Sequence, residues 1–169
     1  MKKNEAHWWG YAALPDGMTV PYHGEENPMT PVCQFPLDEG MVYIFADLDY
    51  WFGDIEAESG ALGEWDTAFY QVLYSPTREN LHEHKLLYSD GTSAVPPAKP
   101  IHKTLPAPAD CWQDELAQDY PGYECLLQLD EDDDIGLRFY DCGTLFFLIR
   151  PEDLKTRDFR KVKCVLYSY

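Results

Sequence analysis

Acidic side chains set beside aromatic rings are the densest chemistry-bearing feature of this chain. Asp47, Asp49 and Asp54 flank Trp51 and Phe52. A sugar cleft uses this pairing, with rings that stack and two carboxylates that act as acid and as base or nucleophile. The outcome there depends on the carboxylate separation in space. Thirty Asp and Glu are spread along the chain, so some must fall near rings by chance. A second acidic group, Asp130-Glu131-Asp132-Asp133-Asp134-Ile135-Gly136, places carboxylates at alternate positions as a calcium loop does. A calcium loop needs its glycine sixth and a bidentate Glu twelfth. Counted from Asp130, Gly136 stands seventh and Asp141 twelfth. A solvated hairpin loop held open by its own charge is the better reading. Asp132, Asp133 and Asp134 remain candidates for contact with a basic protein.

His82-Glu83-His84 puts two imidazoles on one face if the segment is extended. Zinc would need further ligands, such as His102 or Cys111. A polar connection between strands explains the segment without metal, and no cofactor is expected. Gln34 and Gln128 each interrupt an apolar run. A buried glutamine must satisfy its amide. Bonding to loop backbone, which would pin the N-terminal leader, is favoured over a shared cleft. Nucleophilic catalysis has no foothold in the local sequence. There is no GxSxG elbow, no GxGxxG and no phosphate-binding loop.

Charge excludes more than the motifs do. Thirty acidic residues against 13 basic ones give −17, with no Lys or Arg cluster to displace counterions from a phosphate backbone. Nucleic acid is excluded as a partner, and an anionic membrane surface is disfavoured on the same ground. A basic protein partner is allowed, because complementary charge speeds encounter. The start of the chain lacks the apolar segment of a signal peptide. The apolar runs, 145–149 among them, fall far short of the ~20 residues that a spanning helix needs. Five cysteines, odd in number and without a CxxC, suggest neither a disulfide framework nor a zinc knuckle. The expectation is a cytoplasmic protein with all five thiols free.

The elements that position these groups read mostly as strands. A leader over residues 8–31, rich in proline and glycine, is expected to be irregular and pinned by Trp8, Trp9 and Tyr11. Strands are expected over 32–35, 41–48, 67–74, 123–129, 144–149 and 162–167, with a shorter one at 85–88. Phe45, Leu145 and Phe147 should be core. Asp110 can cap a helix to Asp119, and Pro151 followed by Glu152 and Asp153 opens another to about Asp158. The expected class is α+β, a mainly antiparallel or mixed sheet with two short helices in the second half, in one domain over 1–169. Val32 to Phe45 and Leu126 to Leu148 echo one another, each a strand with Gln, a turn, a Gly and an apolar strand. A duplicated β-hairpin would produce this, as would any two hairpins rich in aromatics.

The same two stretches, CQFPLDEGMVYIFADLDYWFGD and DCGTLFFLIRPEDLKTRDFRKVKCVLYSY, resemble the YwqG-like family of uncharacterised bacterial proteins. Trp8-Trp9-Gly10 stands where that family usually has a double glycine. The resemblance implies an α+β fold and brings no catalytic residues. Relatives that resemble neighbours of toxin systems suggest an immunity-like role. The leading expectation is therefore a non-catalytic module that binds a protein. Its contact residues are drawn from Trp8, Trp9, Gln34, Asp47, Asp49, Trp51, Gln128 and Asp132 to Asp134. The alternative is a small-molecule or carbohydrate-binding protein, or a hydrolase, with a cleft near Trp51.

Overall fold

The computed structural model of the chain describes residues 2–47, 62–101, 113–130 and 143–168. In chain order its strands are β1 (His7–Trp8), β2 (Ala13–Leu14), β3 (Tyr22–His23), β4 (Asn27–Pro28), β5 (Thr30–Pro36) and β6 (Met41–Ala46). There follow β7 (Gly63–Glu64), β8 (Tyr70–Ser75), β9 (His82–Glu83), β10 (Lys99–Pro100), β11 (Glu124–Asp130), β12 (Gly143–Ile149) and β13 (Lys163–Ser168). The helices are α1 (Gln113–Asp119) and α2 (Pro151–Thr156), with a 3-10 turn over Phe159–Lys161. The α+β expectation is therefore corrected to mainly β. The helices have seven and six residues, too short to stand without tertiary support. The leader, expected to be irregular, supplies four two-residue strands.

The described residues group into two compact units, one of residues 2–47 and 68–101, the other of 62–67, 113–130 and 143–168. In the first, a five-stranded sheet has the order β10-β1-β5-β6-β8. All its neighbours are antiparallel. Every residue of β6 is buried, which explains its unbroken apolar run, since a strand covered on both faces need not alternate. Met41, Tyr43 and Phe45 share one face and pack with Ala12, Leu14 and Val20 of the leader. The leader is thus a wall of the core. Arg78 holds the turn between β5 and β6. Its Nε donates to the Gly40 carbonyl at 2.9 Å and its Nη2 to the carbonyls of Leu37 and Asp38.

The second unit carries a four-stranded sheet in the order β11-β12-β13-β7. Leu116 of α1 packs with Cys125, Phe146, Leu148 and Val165 on one face of it. Proline at the first turn of α2, with Glu152 and Asp153 behind it, starts the helix where expected. Arg157 stops it in the left-handed conformation at φ 58°. Buried Asp153 then accepts from Lys161 Nζ at 2.6 Å, which ties the 3-10 turn back to the helix.

The two units repeat one plan. β5 pairs with β6 through a register shift between Pro31 and Cys33, and β11 pairs with β12 through one between Cys125 and Leu127. Two residues past each skipped position stands a glutamine, Gln34 opposite Tyr43 and Gln128 opposite Phe146. A third strand then adds to each hairpin, with Tyr43 opposite Leu73 and Phe146 opposite Val165. A general likeness between aromatic hairpins does not require a shared bulge, a shared register and a shared third strand.

Cys33 and Cys164 are buried and free, and burial holds the Cys164 thiol well above its ordinary pKa. Cys125 is disulfide-bonded. The expectation of five free thiols is corrected on that residue. Spacing along the chain does not reveal which cysteines come within bonding distance in space. No helix among the described residues is long and apolar enough to cross a membrane.

Candidate functional site

Gln34 and Tyr43 face each other across β5 and β6, and together they grip the backbone of one leader residue, Ala13. The Ala13 amide donates to Gln34 Oε1 at 3.0 Å, and the Tyr43 hydroxyl donates to the Ala13 carbonyl at 2.9 Å. Gln34 Nε2 donates to the Lys3 carbonyl at 2.7 Å. Burial pushes the Tyr43 phenol up to about 12, so it remains a donor at neutral pH. Gln34 does what the sequence favoured for it, anchoring leader backbone. Gln128 donates from Nε2 to both Asp130 oxygens, at 2.8 and 3.1 Å, and its side chain serves the end of its own hairpin.

Between the gripped leader and the segment 93–98 lies a cavity of about 560 Å³. Lys2, Lys3, His7, Tyr11, Glu83 and Ser93 supply its polar lining, and Gly10, Ala13, Val95, Pro96, Pro97 and Ala98 the rest. Gly10 is in the left-handed region at φ +73°, and a Cβ there would stand 2.6 Å from the Ala98 Cβ. Only glycine lets these two walls approach so closely. Trp9, just before it, also has φ 53°, a conformation rarely adopted by a bulky residue. Its consequence is geometric. The Trp9 carbonyl comes to 2.7 Å from His7 Nδ1. A carbonyl only accepts, so Nδ1 carries the proton and the neutral ring keeps a lone pair on Nε2.

His7 is 6% exposed. Burial pushes its pKa below the ordinary value of 6.5, against the opposing pull of the Trp9 and Trp8 carbonyls and the charge of Glu83. The unfolded chain therefore takes up a proton at a higher pH than the folded one. Stability from this group is complete above about pH 6.5 and falls as the pH drops below it. The urea midpoint should fall between pH 7 and pH 5. His7→Asn, whose amide can still donate to the Trp9 carbonyl, should remove part of that slope. An identical slope in the variant would show that His7 does not titrate this way.

The other residues named from sequence fare unevenly. Trp8 and Trp9 are buried and shape the leader without lining the cavity. Asp47 follows β6, is 6% exposed, and its carboxylate accepts from His23 Nδ1. His23 stacks edge-on against Phe69 with centroids 4.6 Å apart. Asp49, Trp51, Asp132, Asp133 and Asp134 lie outside the described residues, as does the comparison of the acidic loop with a calcium site beyond Asp130. His82 pairs with Asp16 at 3.0 Å, while Glu83 between the two histidines lines the cavity. Among the described residues no group of three or more His, Cys, Asp or Glu side chains is placed to hold a metal ion. Sequence reasoning passed over His7 as a site residue. The one available signal was its place two residues before the Trp9-Gly10 pair, whose backbone conformation a sequence does not display.

Residues 82–167 match the family described as a domain of unknown function, DUF1963. The match covers more than half of the chain, which belongs to that family. No protein of established annotation matches it.

Proposed function

We propose that this DUF1963 chain is a non-catalytic binding module that takes a small polar molecule into the His7 cavity. The observation that carries this reading is the cavity itself. Its volume of about 560 Å³ falls within the ~300–1,000 Å³ of ordinary ligand sites. It joins an apolar wall to a few converging polar groups, one of them a histidine with a fixed tautomer. Binding is favoured over catalysis because Ser93, the hydroxyl nearest in kind to a nucleophile, spends its proton on the Val95 carbonyl at 2.8 Å. This reading places the small-ligand alternative at the leader rather than near Trp51.

Thermal melting against amino acids, sugars and nucleosides tests it. A ligand at 100 times its Kd adds about 2.7 kcal/mol, a rise of several degrees for a chain of this size. Ala98→Trp, at an exposed lining position, should abolish the rise, measured against the variant's own unliganded melting point. A rise that survives this blockage would move the site elsewhere.

Recognition of a protein is the second reading. Leu87 and Tyr88 are 49% and 60% exposed, at a turn closed by hydrogen bonds between Tyr88 and Thr92 and between Gly91 and Tyr88. Two adjacent exposed apolar side chains on a tight turn suit an anchor, and the charge of −17 suits a basic partner. The YwqG-like grouping, a bacterial origin and an immunity-like role belong with this reading and rest on sequence resemblance. A cytoplasmic home is supported by the free thiols of Cys33 and Cys164. The disulfide-bonded Cys125 weighs against it.

A further inference from the structure

We infer that the ligand of the His7 cavity is a zwitterion of the amino-acid or short-peptide class, with its amine toward Glu83 and His7 and its carboxylate toward Lys2 and Lys3. The inference rests on the cavity being a ligand site and adds the chemistry of what it takes.

The lining is mixed in sign. Glu83 supplies a carboxylate, and His7 supplies an acceptor. His7 Nδ1 is held by the Trp9 carbonyl at 2.7 Å, which leaves Nε2 as the acceptor of the neutral ring. The lysines supply the opposite charge. Lys3 Nζ donates to the Leu81 carbonyl at 3.0 Å, one of its three protons, and Lys2 Nζ lies 3.9 Å from Glu5. Both retain donors for a carboxylate.

Overall charge decides between ligand types. A purely anionic ligand must approach a chain of −17, and long-range repulsion slows that encounter. A purely cationic ligand would meet two lysines at the cavity. A molecule with both charges and no net charge avoids the first cost and matches both ends. Val95, Pro96 and Pro97 leave an apolar wall for a side chain.

Titration calorimetry on the full chain with glycyl-L-leucine and L-leucine tests this, alongside the N-acetylated and C-amidated forms of each. At least one free zwitterion should bind, with each blocked form at least tenfold weaker. Glu83→Gln should weaken the zwitterion about tenfold and erase the further loss on N-acetylation. Lys2→Met combined with Lys3→Met should erase the loss on amidation. All three positions are exposed, so the variants should fold. Equal affinity for free and blocked forms would overturn the zwitterion and leave the cavity reading standing. Binding of a sugar or nucleoside alone, lost in Ala98→Trp, would do the same. Failure of every probe to bind would overturn both.

Discussion

Replacing Gly40 with alanine is expected to destabilise the chain by about 2–5 kcal/mol, because two costs combine there. Gly40 sits at φ +79°, where a side chain costs roughly 1–2 kcal/mol. The added Cβ would also stand 2.0 Å from the Ser75 carbonyl oxygen and 2.8 Å from the Tyr74 ring. A backbone atom cannot swing aside as a flexible side chain does, so the β5–β6 turn must move away from β8. That movement strains the three Arg78 contacts and typically adds ~1–3 kcal/mol. Urea unfolding measures the effect, with a lower midpoint and an unchanged slope. Gly17 is the control. It has φ +83° and nothing within 4 Å of its added Cβ, so Gly17→Ala should show the conformational cost alone. Equal losses at the two positions would mean that the close approach to Ser75 contributes nothing.

Phe147→Ala should cost a similar amount, about 3–5 kcal/mol, by a different route. Phe147 is fully buried in the middle of β12, opposite Cys164 on one neighbour and Leu127 on the other. Truncation removes its transfer energy and leaves a void that two hydrogen-bonded neighbours prevent from closing. For a chain of this size each kcal/mol lowers the melting point by roughly 2–4 °C, so a drop of about 6–20 °C is expected. Phe147→Leu, which keeps most of the volume, should lose much less. A melting point within 2 °C of the parent for the alanine variant would contradict the burial.

The strands were legible because their centres are apolar and, β13 apart, proline or glycine stands at or near their ends. β5, β6, β11, β12 and β13 fall within two residues of where composition places them, and Phe45, Leu145 and Phe147 are buried as expected. The leader was misread for a physical reason. Strands of two residues have no period to detect, and β1 and β2 exist because Gln34 and Tyr43 catch their backbone from a distant hairpin. Class was misjudged because two helices read as short were still given weight beside the strands, although they hold only seven and six residues. The cavity was least legible of all. Its walls meet through Gly10, Trp9 and the pairing of β1 with β10, and each depends on contacts between residues far apart in the chain.

That separation along the chain sets an order of events. β5 with β6 are joined by a tight turn, so this contact closes a short loop and can form in microseconds. The pairing of β7 with β13, sealed by Glu64 and Lys163, joins residues 99 positions apart. The pairing of β1 with β10 joins His7 to Pro100. Each must await the hairpin it docks on, because the entropy of closing a long loop is lost before any contact repays it. The His7 cavity is walled by the leader and by the stretch leading into β10, so it belongs to the last part of its unit to assemble. By the same logic it is the first part to open. A bound molecule would then act as a latch on the seam, and its residence time would be tied to how often that seam parts.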